Sequence, residues 1–282
     1  MKLLSQIKKD LDFNLNLYNL VEVLKEIAIS QYRILERKLK TFDLVFNHLG
    51  GIFDLLQAGG IKHPLLESSS RQPGVIALTS DAGLLGGLNM NVMTQAIKEA
   101  EKNNSKLLII GEKGKIYASE TNLSYVTFKG VKDETRLEQA LELRDYVLNE
   151  EQSGKLGELK IVYPHALSIV AQQVKVLQLF PFSKAEQFQK KTIALQATDL
   201  IIESSLDGLL EYWMYLFLGQ KFFQIFGISR LAELSARYSH LETSKTKIEQ
   251  LNKELKIQYF RQRHELIDKN MRELFAARLA FK

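Results

Sequence analysis

Residues 4–56 read LSQIKKDLDFNLNLYNLVEVLKEIAISQYRILERKLKTFDLVFNHLGGIFDLL, and their spacing decides the architecture. Apolar side chains recur at alternating steps of three and four, on Leu4, Ile7, Leu11, Tyr18, Val21, Ala28, Tyr32, Leu35, Leu39, Phe42, Phe46, Leu49, Phe53 and Leu56. The two polar steps are Asn14 and Lys25. A 3.5-residue repeat held over this length predicts a left-handed coiled coil, because a straight helix would carry its stripe off a partner by about 20° per heptad. Gly50-Gly51 weakens the far end, and Gly59-Gly60 followed by Pro64 ends it.

Outward from this segment, the prolines are confined to positions 64, 73, 164 and 181, which leaves a second proline-free stretch from near Asp207 to Lys282. Gly219 and Gly227 are its weak points. Its seam runs through Leu231, Leu234, Tyr238, Leu241, Ile248, Leu255 and Tyr259, with Lys245 and Asn252 at the polar steps. Beyond Tyr259 the register fails, since Gln262, Lys269 and Glu273 take the next seam positions. This pattern predicts an antiparallel pair in which the C-terminal helix outruns its partner and leaves its last ~20 residues to meet something else. The apolar run from Leu209 to Phe226 contains Glu211, Gln220 and Lys221 and is barely long enough for a bilayer, so it reads as a buried or partner-facing helix.

Between the two helices the period changes. Val75–Thr79, Leu107–Ile110 and Leu159–Tyr163 are short β-branched runs, Val174–Phe180 partly alternates, and Tyr125–Phe128 fits an edge strand. Helical patterns at about 89–102 and 133–149 separate the first three runs. The predicted class is therefore α/β: a long antiparallel coiled coil of N- and C-terminal helices plus a Rossmann-like globular domain with a largely parallel sheet. The expected divisions are 1–60, 70–195 and 205–282.

Chemistry is sparse. The net charge of +5 comes from Lys and Arg interleaved with Asp and Glu, so nucleic acid is not implied. The absence of Cys excludes disulfides and thiolate sites. The opening residues carry Asp10 and Asp12 in a helical pattern and resemble neither a signal nor a transit peptide, so the mature chain is expected to start near Met1. His48, His63, His165, His240 and His264 lack metal-site spacing, no GxSxG is present, and Glu150-Glu151 fits a solvated surface. Ser80–Asn91 stands where phosphate loops stand, after a strand and before a helix, but it is neither GxGxxG nor GxxxxGK[ST]. Its Gly83, Gly86 and Gly87 are instead expected to permit a tight turn and close helix packing. Lys25 and Asn14 could set register in a coiled-coil core, and Lys25 could equally contact a partner.

The turn Ser80-Asp-Ala-Gly-Leu-Leu-Gly-Gly-Leu-Asn-Met-Asn91 resembles the S-D-x-G-L-C/A-G-G-L-N-x-N signature of F-type ATP synthase gamma subunits. Glu233-Leu-Ser-Ala-Arg237, Leu241-Glu242 and Tyr259-Phe-Arg-Gln-Arg263-His264-Glu-Leu-Ile267 are similar to the same family's E-x-x-A-R-x-x-A-M-D and Y-N-x-x-R-Q-x-x-I-T. Near the start, Ile7-Lys8, Asn16, Leu24-Lys25 and Ile27-Ala28 fall on the family's I-K, N, M-K and V-A. The resemblance implies a central rotor stalk inside an alpha-three beta-three hexamer, one copy per complex, with its α/β domain against the epsilon subunit and the c-ring. It also implies a peripheral position on the cytoplasmic face of a bacterial membrane, catalysis left to the beta subunits, and no cofactor. Carried over residue by residue, Lys25, Arg237, Glu242, Arg263 and His264 are expected to contact the hexamer, while Ser80, Asp81, Gly83, Gly86, Gly87 and Asn89 form a structural turn. Gln31, Leu85, Glu242 and His264 depart from the family pattern. Such departures suit a divergent member, including a specialised second ion-pumping ATPase; a coiled-coil scaffold would explain the heptads but not the ordered motifs.

Overall fold

The computed structural model describes residues 4–39, 49–53, 56, 63, 66, 71–183 and 205–280. The expected seam positions Phe42 and Phe46, the helix end at Gly59, Gly60 and Pro64, His48, and the boundary at 195 lie outside the described residues. The described chain forms two compact units, one made of the N-terminal stretch up to Ala28 with the helix from Tyr238 onward, the other of Ile29–Arg237.

In the first unit, helix α1 (Leu4–Leu39) contributes its opening residues and the long helix α5 (Leu206–Ala280) its closing ones. Ile7, Val21 and Ala28 are buried, whereas Phe13, Leu20, Val23 and Ile27 between them are exposed, so the 3,4 spacing read from the sequence is the buried stripe. Val21 packs with Leu241 and Ile248, flanked by Leu17, Tyr18 and Leu24. Lys25 meets Glu242 and Glu22 meets Lys245, so the pairing descends along one helix as it rises along the other: it is antiparallel.

The second unit is built on a five-stranded sheet of β1 (Gly74–Leu78), β2 (Lys106–Ile110), β3 (Tyr125–Phe128), β4 (Leu159–Ala166) and β5 (Gln172–Phe180), ordered β3-β2-β1-β4-β5. The first four are mutually parallel and β5 joins β4 as an antiparallel edge. Helices α2 (Leu88–Lys102), α3 (Glu112–Ala118) and α4 (Arg136–Gln152) supply the crossovers. Alternation along β1 sorts the core: Val75 and Ala77 face Val92, Met93 and Ala96 of α2, while Ile76 and Leu78 face Leu143 and Val147 of α4 and Leu210, Phe217 and Phe226 of α5. The apolar run from Leu209 is thus the wall on one face of the sheet; among the described residues no helix is long and apolar enough to cross a membrane. Trp213 caps this wall by donating its Nε1–H to the Leu49 carbonyl at 2.8 Å, which ties the helical residues 49–53 to α5.

The two glycines expected to weaken α5 do not interrupt it. A Cβ at Gly227 would come within 2.6 Å of Leu39 Cδ2, and one at Gly219 within 3.2 Å of Arg144 and Leu141. Close packing against α1 and α4 therefore offsets the lower helix propensity at both positions.

Candidate functional site

Three places carry the residues singled out by the sequence. The first is the turn leaving β1, in the position where open α/β sheets bind ligands. Here the polar side chains satisfy one another. Asn89 accepts from the Ser80 N–H at 3.2 Å and donates to Ser80 Oγ at 3.2 Å. Asp81 accepts from the Glu112 N–H at 2.7 Å, so this carboxylate is spent on the start of α3. Thr79 Oγ1 donates to the Ile110 carbonyl at 2.6 Å and accepts from the Gly114 N–H at 3.1 Å. The neighbouring Gly111, at φ +101°, lies so close to Thr79 that a Cβ would approach its carbonyl carbon to 2.7 Å.

Within the turn, Gly86 adopts φ +57° and Leu84, not a glycine, adopts φ +62°. A Cβ at Gly83 would meet nothing within 4 Å, and one at Gly87 only ordinary contacts from 3.7 Å. The expectation of close helix packing at all three glycines is corrected accordingly: conformation explains Gly86, and sterics do not explain Gly83 or Gly87. Leu85, 4% exposed, packs with Leu88 and with Ala236 of α5. Apolar side chains thus fill the mouth beside the turn, which makes it a socket for a helix.

The second place is the α5 segment seated in that socket. Ser235 Oγ donates to the Ser168 carbonyl, in the connection between β4 and β5, at 2.8 Å. Arg230 pairs with Glu233 at 2.7 Å and with Asp133 at 3.3 Å. Burial pushes the Glu233 carboxyl up, the neighbouring Arg230 pulls it back, and the net value is about 6. Arg237 is half-buried beside them, its guanidinium shifted down by burial and then by Arg230, against the pull of Glu233. Arg230, Glu233, Ser235 and Asp133 were not expected as site residues. The available signal was the small-residue series Ser229, Ala232, Ser235 and Ala236, which marks a helix approached closely from more than one side.

The third place is the helix pair. Lys25, 8% exposed, lies 3.1 Å from both Glu22 and Glu242, and Lys245 lies 2.7 Å from Glu22. Burial lowers the Lys25 pKa, but its two carboxylate partners outweigh that and the net shift is upward. Lys25 and Glu242, carried over separately as partner contacts, are thus brought together with each other. Arg263 and His264 are not brought to them. Lys25 stands opposite Glu242, so at the same register Leu4, the first described residue of α1, falls opposite Arg263. Residues 263–278 are accordingly all exposed. His264 Nδ1 bonds the Phe260 carbonyl at 2.7 Å, and Arg263 makes no ion pair among the described residues. The described residues also hold no cluster of three metal-ligating side chains.

Comparison with known proteins agrees with this geometry. The family model described as ATP synthase matches residues 4–280. The ATP synthase gamma chain of Clostridium acetobutylicum is 26% identical over 283 residues, covering 98% of this chain and 97% of the relative. That of Clostridium beijerinckii is 28% identical over 202 residues, 71% of this chain and 69% of the relative. Among solved structures, the rotor of Euglena gracilis mitochondrial ATP synthase superposes with a TM-score of 0.66 at 16% identity, over 94% of this chain and 98% of that one. The central stalk and c-ring structure of Tetrahymena thermophila mitochondrial ATP synthase gives 0.60 at 18% identity, over 80% and 99%.

Proposed function

The chain belongs to the ATP synthase family, and we propose that it is the central-stalk rotor of an F-type ATP synthase, turning within a hexamer of alpha and beta subunits and standing on a membrane c-ring. The observation that carries this reading is the tail of α5, which continues past the start of α1 with residues 263–278 exposed. A single helix tip, exposed along residues 263–278 and without a partner among the described residues, is asymmetric about its axis. As it turns, it presents different faces to each surrounding subunit and so biases which conformation each can adopt. The chain is part of an enzyme complex, and its own role is mechanical, with nucleotide chemistry on the beta subunits; the packing of Leu85 and Leu88 against Ala236 beside the turn after β1 supports this reading. We further propose the divisions 1–60, 70–195 and 205–282 as N-terminal helix, foot and C-terminal helix: the outer parts of the two helices form the shaft, while Leu49, Phe53 and the wall from Leu210 to Phe226 pack on the foot, which meets the epsilon subunit and the c-ring. The complex is membrane-associated, with this subunit peripheral on the cytoplasmic face of a bacterial membrane.

The test is reconstitution. Mixed with alpha and beta subunits of its own organism, the chain is expected to join a stable hexamer and support ATP hydrolysis, while the purified chain turns over no ATP. Turnover in a rigorously beta-free preparation, or failure to co-purify with the hexamer, would overturn the assignment.

A further inference from the structure

We infer that Ser235 and Glu233 are positioning residues of the rotor: with Arg230, Asp133 and the Ser168 carbonyl they fix the rotational setting at which α5 leaves the α/β domain. The inference rests on the rotor reading above and concerns how torque passes between this helix and that domain.

At 3.6 residues per turn, five consecutive positions go round a helix more than once. Ala232, Glu233, Leu234, Ser235 and Ala236 are all buried, between 0% and 5% exposed, so α5 is enclosed on every side at this level. The enclosing parts come from separate places in the chain. The turn after β1 bears on Ala236, the β4–β5 connection on Ser235, and the loop before α4 on Arg230. Leu234 lines a cavity of about 210 Å³ together with Gln31, Ile34, Leu35 and Lys38 of α1 and with Asp133 and Arg136.

Further back on the same helix, Trp213, Phe217, Phe222 and Phe226 interlock with the core, and bulk alone prevents rotation there. At the exit the buried side chains are mostly small, and apolar contact is non-directional. A smooth helix in an apolar ring has many rotational settings of similar energy. Hydrogen bonds weaken steeply away from their preferred angle, so the two that cross from α5 to the domain, Ser235 to the Ser168 carbonyl and Arg230 to Asp133, select one setting, and Glu233 holds the Arg230 guanidinium in place from within the same helix. Arg237, the next charged residue, is the last residue of the compact unit that holds the sheet, so these ties lie near that unit's end of the helix.

The experiment uses the assembled complex with the hexamer anchored and an optical probe on the exposed α3–β3 connection. Because the chain has no cysteine, Glu120→Cys gives it a single thiol for attachment. The probe's angular variance is recorded during catalytic pauses. In the double variant Ser235→Ala/Glu233→Gln the variance is expected to rise at least twofold while ATP hydrolysis stays within twofold of the parent, since the α5 tail is untouched. Asp133→Asn, a near-isosteric change at an exposed side chain, carries the test if the double variant does not assemble, and is expected to widen the distribution in the same direction. Asp133→Glu is expected to restore the parent width. A variance equal to the parent's in the double variant, or in Asp133→Asn, would overturn the inference. A parent complex that hydrolyses ATP without turning the probe would overturn the rotor reading itself, and this inference with it.

Discussion

At Glu233 burial and ion pairing act in opposite directions on one carboxyl, and burial wins: the value is pushed from 4.5 up to about 6 despite Arg230 at 2.7 Å. The folded chain therefore holds this proton more tightly than the unfolded chain. Its contribution to stability is fully present below pH 4.5 and is lost as pH rises through 6. A shift of this size corresponds to about 2 kcal/mol. Glu99 and Glu150 shift the other way, chiefly through hydrogen bonds from Lys102 and Lys106, and lose stability as pH falls. A difference measurement cancels these. Urea unfolding of the full chain and of Glu233→Gln, compared at pH 4.5, 5.5 and 7, is expected to show the parent losing about 1.5 kcal/mol relative to the variant across that range. A constant difference would mean that Glu233 titrates as an ordinary carboxyl.

Among the elements, the helix pair is the part whose chemistry can be tested by charge. Lys25→Glu would set a third carboxylate beside Glu22 and Glu242 in the seam. The expected loss is about 1–2 kcal/mol, below the roughly 3–5 kcal/mol of a fully buried pair because Glu242 is half exposed. Glu242→Lys in the same chain should recover part of it, as read from thermal melting by circular dichroism; equal melting in all three proteins would show that the pair does not set register. This seam was legible in the sequence because hydrophobic period is local: Ile7, Val21 and Ala28 are buried as the 3,4 spacing requires. The strands were legible for the same reason, down to the edge strand Tyr125–Phe128. Helix α3 was not, since seven residues with Gly114 in their middle leave too few turns for a periodic signal. The seating of α5 was also hidden. Glu233 and Arg230 look like solvated helix charges until the loops that bury them are placed, and those loops lie about 60 to 150 positions away in the chain. Gly219 and Gly227 misled in the same way, because the neighbours that favour a missing Cβ are far off in sequence.

For the whole molecule, the question is what the end of α5, exposed among the described residues, meets. Arg261, Arg263 and His264 lie on it, among exposed Phe260, Leu266, Ile267, Met271, Leu274 and Phe275. Arg261 is 3.4 Å from Glu265 on its own helix, and His264 is tied to a backbone carbonyl, so Arg263 is the basic group of the three left to reach outward among the described residues. A guanidinium offers a planar fork that matches a carboxylate in one orientation, which suits a contact made and broken as a shaft turns. If the proposed rotor function holds, that carboxylate belongs to the surrounding hexamer. Arg263→Glu would then replace attraction by repulsion at one angular position while leaving the seam at Lys25 and Glu242 intact, because the substitution lies at the register limit of α1. The assembled complex is expected to keep its subunit stoichiometry and to hydrolyse ATP several-fold more slowly, with the added delay concentrated in one pause per step of single-molecule rotation. Arg263→Lys, which keeps charge but loses the fork, should fall between the two. Hydrolysis and torque equal to the parent in Arg263→Glu would show a solvated charge, and the apolar residues around it would then be the whole of the contact.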